Sequence, residues 1–129
     1  MNYLIDTHIL LWYIDEKDRL SEKIISEIEN PNNTVFISRA TFFEIAIKIN
    51  IGKLTFSIPY LKVEELIIQN GFNLIEIEFS HLHQYTILPF NSNHRDPFDR
   101  ILIAQAQCEN LTIITHDTIF KKYDVKVHI

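Results

Sequence analysis

Apolar positions in this chain follow two rhythms: short unbroken runs, and longer stretches in which they recur every three or four residues. Asn2 to Ile5 is the first run and reads as a buried strand; Thr7 to Ile14 follows with Ile9, Leu10, Tyr13 and Ile14 on one helical side. Ser21 to Glu29 opens on a serine suited to an N-cap, spaces Ile24, Ile25 and Ile28 as a helix does, and stops at Asn30-Pro31-Asn32-Asn33. Val35 to Ile37 reads as a second buried strand, Arg39 to Asn50 as a helix closed by Gly52, and Pro59 to Gln69 as an amphipathic helix stopped by Gly71. Leu74 to Ile77 alternates apolar and acidic residues like a strand near a sheet edge, and Ser80 is placed to cap a helix through Tyr85. The last third repeats the opening theme: Pro97 to Glu109 as a helix, Thr112 to Thr115 as a buried strand, Asp117 to Tyr123 as a short helix, and Val125 to Val127 as a final strand.

Strands separated by helices, with no tight hairpin between them, predict an α/β fold with a central parallel sheet covered on both faces. The site of such a fold lies at the carboxyl ends of its strands. With 129 residues, 47% of them hydrophobic, the chain is expected to form one domain, residues 1–129, around a sizeable core. The apolar runs are short for a membrane span, no basic segment precedes the first strand, and Cys108 is the single cysteine. These features point to a cytoplasmic protein without a thiolate zinc site.

A net charge of −5 speaks against a non-specific nucleic-acid coat protein, which needs a broad basic surface. It does not speak against a nuclease, because acids grouped around bound cations reverse the local field. Five acids stand out by position. Asp6 ends the first apolar run and reads equally as a helix cap or as a functional acid; Asp117 follows the run Ile113-Ile114-Thr115 and carries the same two readings. Asp96 before Pro97 is a favoured helix opening, and Asp99 then falls at the third helical position, where it could complete a capping box or point toward the sheet edge. Glu44 is the lone acid of Ala40-Thr41-Phe42-Phe43-Glu44-Ile45-Ala46-Ile47, and a buried carboxylate is costly unless paired or metal-bound; Lys48, one turn on, offers the bland alternative of an ion pair. A cluster of such oxygen ligands suits a hard divalent cation. The six histidines show no paired ligand spacing, which assigns most of them to the surface or the core.

Taken together, Leu4-Ile5-Asp6-Thr7-His8, Ser38 with Phe43-Glu44-Ile45-Ala46-Ile47-Lys48, Gly52-Lys53-Leu54, His94-Arg95-Asp96-Pro97-Phe98-Asp99-Arg100 with Ile103-Ala104-Gln105-Ala106, and Thr115-His116-Asp117 resemble, in order from end to end, the PIN domain, and within it the VapC-like toxins. The resemblance implies a Mg²⁺- or Mn²⁺-dependent endoribonuclease, the toxin of a type II toxin–antitoxin pair, whose cognate antitoxin masks the site. Carried over by position, Asp6, Glu44 and Asp99 match the core acids. Asp117 is either the fourth ligand or a cap beside it, since many relatives place the last acid where Phe120 stands here. Asp96, Thr7 and Ser38 are expected to support the ligands, phosphate or nearby backbone groups. Arg39, Lys48, Lys53, Arg95 and Arg100 are the cations expected to steer the RNA backbone. Hydrolysis would use water activated by the metal, leaving 5′-phosphate and 3′-hydroxyl ends.

Surplus apolar residues, among them Leu11, Trp12, Tyr13, Tyr60, Leu61 and Leu66, are expected mainly in the core, with some left for a homodimer or an antitoxin groove. The chain has no room for a DNA-binding module, so operator contacts would fall to the antitoxin. Rival classes make different demands. A haloacid-dehalogenase-like phosphatase wants a second Asp where His8 stands, and a receiver-like domain wants a Lys after the late strand, where His116-Asp117 stands. A catalytically silent RNA- or antitoxin-binding module with the same fold remains the alternative.

Overall fold

A computed structural model describes residues 1–90 and 93–128. Five parallel strands, β1 (Asn2–Ile5), β2 (Thr34–Ser38), β3 (Asn73–Ile75), β4 (Thr112–Ile114) and β5 (Val127–His128), form one sheet in the order β3-β2-β1-β4-β5. β1 therefore lies at the centre, and the chain reverses its direction of travel across the sheet on either side of it. Its register sets Leu4 against Phe36 on one side and Ile5 against Ile114 on the other.

The alternation of the strands sorts the core into two layers. Tyr3, Ile5, Val35, Ile37 and Ile114 face a layer completed by Ile9 and Leu10 of α1 (Thr7–Asp15), Ile24 and Ile28 of α2 (Glu22–Glu29), Ile45 of α3 (Arg39–Asn50), and Val63 and Ile67 of α4 (Val63–Gln69). Leu4, Phe36 and Ile113 face the opposite layer, filled by Ile101 to Ala104 of α6 (Pro97–Glu109), by Phe120, and by Tyr85 of α5 (Phe79–Thr86). The α/β architecture with a parallel sheet covered on both faces is as the sequence predicts. Among the described residues no helix is long and apolar enough to cross a membrane.

Several boundaries differ from the sequence reading, each for a local reason. The expected helix from Pro59 opens instead as a 3-10 turn, Tyr60–Lys62, closed by the N–H of Lys62 on Pro59 O at 2.9 Å, and the α-helix starts only at Val63. Ser80 does not cap α5. The helix starts two residues earlier, with Glu78 in the cap position and its backbone N–H donating to Nδ1 of His81 at 2.9 Å. The segment after Asp117 is a 3-10 turn, Thr118–Lys122, rather than an α-helix. At the sheet margins β3 and β5 are each displaced by one or two residues from the apolar runs, because pairing with β2 and β4 decides where an edge strand starts.

Candidate active site

β1 and β4 end side by side, and the chemistry gathers just beyond them. The backbone N–H of Asp6 donates to Ile114 O at 3.1 Å, carrying the ladder one residue past β1. Asp6 is thereby opposite Thr115, whose hydroxyl donates to Asp6 Oδ2 while Asp6 Oδ1 accepts the N–H of Ile9 at 3.0 Å. Asp6 thus caps α1 and is a buried acid of the sheet edge at once. Burial pushes its carboxyl above the usual range, against the hydrogen bond from Thr115, and the nearby charge of Glu44 adds to the rise.

Glu44 is buried on α3, with Oε1 accepting from the hydroxyl of Thr7 and Oε2 paired with Lys48 Nζ at 3.0 Å. The i to i+4 ion pair that the sequence offered as the bland reading is therefore present, and Thr7 ties the same carboxylate to the residue after Asp6. Ser38 is fully buried, and its oxygen accepts the N–H of Ala40 at 3.1 Å, capping α3.

Asp99 sits in the first turn of α6. Asp96 caps that helix through Oδ1, which accepts from the N–H groups of Phe98 at 2.8 Å and Asp99 at 3.1 Å, with Pro97 at the first helical position. The Asp99 side chain, 25% exposed, meets His94 Nε2 at 3.0 Å. Its carboxyl is raised from 3.8 to about 6, chiefly by burial, with the charges of Asp96 and Asp6 adding to the rise and the hydrogen bond to His94 opposing it. Asp6 and Asp99 thus repel each other across the edge of the sheet, and Asp6 and Glu44 do likewise.

Asp117 lies on the exposed side of this edge. Its Oδ1 accepts the N–H of Ile119 at 3.0 Å, capping the 3-10 turn, and its own N–H donates to Thr115 Oγ1 at 3.0 Å, the hydroxyl that holds Asp6. Among the described residues no three His, Cys, Asp or Glu side chains are gathered closely enough to form a metal cage. The donor chemistry fits a hard divalent cation all the same: Asp6 and Asp99 are oxygen donors whose ionised forms are disfavoured chiefly by burial, with the charge of Glu44 adding at Asp6 and those of Asp96 and Asp6 adding at Asp99, and positive charge beside them would relieve both.

The five cations named from the sequence separate. Lys53 and Arg95 are at the surface, Arg95 with its guanidinium 5.6 Å from the Phe90 ring centroid. Lys48 is held by Glu44, and Arg39 is bound by Glu76 at 3.0 Å and by Glu64. Arg100 departs from the expectation of an RNA contact. It is buried, with Nη1 donating to Pro89 O at 3.1 Å and to the Tyr123 hydroxyl at 2.9 Å, because the face of α6 that it occupies turns into the core.

Two residues of the site escape the sequence reading. Thr115 looks like the end of an apolar strand, and only its register against β1 places its hydroxyl on Asp6. His94 is set apart only by standing five positions before Asp99, a spacing with no helical or strand meaning ahead of the Asp96-Pro97 helix start.

No curated protein sequence matches the chain. Among solved structures it is similar to VapBC2 from Rickettsia felis, bound to a DNA fragment from its promoter, with TM-score 0.75 and 20% identity over 99% of this chain and 98% of that one. VapBC-1 from nontypeable Haemophilus influenzae has TM-score 0.68 and 20% identity over 99% and 97% of the two chains. A toxin–antitoxin complex from Klebsiella pneumoniae has TM-score 0.64 and 22% identity over 98% and 96%. These likenesses establish the fold along nearly the whole chain. The PIN domain matches residues 3–126, from β1 with its terminal Asp6 to the segment just before β5, and the chain belongs to the PIN domain family.

Proposed function

We propose that this chain is a divalent-cation-dependent endoribonuclease, using Mg²⁺ or Mn²⁺, and the toxin of a type II toxin–antitoxin pair. The observation that carries the reading is the pair of carboxylates at the carboxyl edge of a parallel sheet in a PIN domain, Asp6 buried and Asp99 partly buried, both raised chiefly by burial, with the charge of Asp6 adding to the rise of Asp99. Membership of a family whose domains are generally nucleases supports hydrolysis of a phosphodiester.

Asp6, Glu44 and Asp99 would hold the cation, with Asp117 at the outer side. A bound cation supplies Lewis acidity, neutralising charge on the phosphodiester and making attack by water feasible at neutral pH. Asp6 contributes a carboxylate fixed by Ile9 N–H and Thr115, which keeps its position as the site fills. Glu44 is oriented by Thr7 and Lys48, and its oxygen paired with Lys48 is the one that would be offered to the cation or to a water beside it. Lys48 then joins Lys53 and Arg95 along the rim, where cations position an RNA backbone without reading its sequence.

The structures similar to this chain include VapBC and other toxin–antitoxin complexes, three of them on DNA by their descriptions, which supports a cognate antitoxin as the partner and operator contacts made by that antitoxin. Phe43 and Ile47 of α3, with Ile51 just past its end, are exposed apolar residues, a surface suited to such a partner or to a homodimer. The cytoplasm is the compartment that fits this role.

One observation favours a second reading, a catalytically silent antitoxin- or RNA-binding module: every core acid already has protein donors. Cleavage of a transfer RNA pool and a ribosomal RNA fragment by antitoxin-free protein, with Mg²⁺, Mn²⁺ or EDTA, separates the two. Cutting that needs metal and falls more than about 100-fold in Asp99→Asn, beyond the 10–100-fold usual for outer-shell partners, is expected. Equal behaviour of wild type and variant on every RNA, with no metal bound, would establish the silent module instead.

A further inference from the structure

Behind Asp99 runs a buried chain of polar side chains. Arg100 Nη1 meets the Tyr123 hydroxyl at 2.9 Å, that hydroxyl meets His94 Nδ1 at 2.8 Å, and His94 Nε2 meets Asp99 Oδ2 at 3.0 Å. Arg100, Tyr123 and His94 are each buried, and none of them figured in the reading of the site as a ligand.

The direction of these bonds follows from what each group can give. Arginine has donors only, so the Tyr123 oxygen accepts from Arg100 and its single proton points elsewhere. His94 Nδ1 is the acceptor in reach. An imidazole that accepts at Nδ1 carries its proton at Nε2 and donates it to Asp99. The reverse arrangement would aim two donors at the phenol oxygen and leave a buried O–H proton without this acceptor, at the desolvation cost of an unmade hydrogen bond.

We propose that His94 is the positioning residue of Asp99, its ring orientation and proton placement fixed by Arg100 and Tyr123 so that Nε2–H donates to one carboxylate oxygen and holds it from behind. The role toward a cation rests on the nuclease reading above; the tautomer does not. The relay also gives the last segment of the chain a part in the site. Tyr123 follows the 3-10 turn after β4, and Arg100 Nη1 additionally holds Pro89 O, so three separated segments are clamped to the start of α6.

Two measurements test this on the full chain. In metal-free protein, ¹⁵N-edited spectra of the histidine rings are expected to show His94 protonated at Nε2 alone, and Tyr123→Phe is expected to turn it into a mixture of tautomers. A wild-type His94 protonated at Nδ1, or a tautomer unchanged in Tyr123→Phe, overturns the relay. Titration with Mn²⁺, without RNA, is expected to show 10–100-fold weaker binding in His94→Ala, the usual loss for a partner that orients a metal ligand. His94→Gln, whose amide can still donate to Asp99, is expected to stay within a few-fold of wild type. If folded His94→Ala and His94→Gln bind Mn²⁺ like wild type, His94 only packs and the positioning role is wrong. Wild type that binds no Mn²⁺ overturns the nuclease reading and with it the role toward an ion, while the spectra still decide the tautomer.

Discussion

Thr115 performs two tasks with one hydroxyl, donating to Asp6 Oδ2 and accepting the N–H of Asp117. Thr115→Val keeps the shape and removes both bonds, leaving buried polar groups on each side; a loss of about 1–3 kcal/mol is expected, read as a lower urea midpoint at unchanged slope. A variant that unfolds at the wild-type urea concentration would mean that the hydroxyl has no part in holding Asp6. At this scale the acids are legible in the sequence, because a carboxylate at the end of an apolar run or inside an apolar helix contradicts its surroundings and asks for a reason. Thr115 and His94 contradict nothing locally: a threonine suits a strand and a lone histidine suits a core. Thr115 takes its meaning from Asp6, 109 positions away, and His94 from being held by Tyr123, 29 positions on, while its other nitrogen meets Asp99.

At the scale of elements, α6 shows how one helix start serves fold and site together. Asp96 binds two N–H groups of the first turn, and Asp99 projects from that same turn. Asp96→Ala is expected to cost about 0.5–2 kcal/mol through loss of the cap, and Asp96→Ser to restore most of it, since serine caps nearly as well. RNA cleavage by Asp96→Ser should then match wild type. A stable Asp96→Ser that no longer cuts would show that the Asp96 charge acts in the chemistry beyond its capping role. The cap was readable from Asp96-Pro97 because it involves neighbours only. By contrast Ser80 looks like a cap and is not one, because the ring of His81 takes the N–H of Glu78 and starts α5 earlier; His81 is itself fully buried and faces Glu109 of α6 at 3.2 Å.

For the whole molecule, the grouping of acids links stability to pH. In the folded chain the Asp99 carboxyl is raised from 3.8 to about 6, so the folded state binds its proton more readily than the unfolded state does. Stability from this group is therefore greatest at low pH and is lost as pH rises from about 4 through about 6. Asp6 is shifted the same way. Metal-free Asp99→Asn is expected to unfold at a higher temperature than wild type at pH 7, by a few degrees for each kcal/mol relieved, and the gap should close toward pH 4. Thermal scans in EDTA across that range check it; an Asp99→Asn variant less stable than wild type at pH 7 would make the Asp99 carboxylate a structural anchor.

The sequence by itself determined the alternation of strand and helix, the parallel sheet and the placing of acids at its carboxyl edge, because periodicity, caps and the cost of burying charge are local properties. Tertiary structure alone decided which strands are neighbours, that Thr115 holds Asp6 across 109 positions of chain, and that His94 backs Asp99. It also decided that Arg100 turns inward while Arg95 stays at the surface, since a charge near a helix start looks the same in sequence whichever way its face packs.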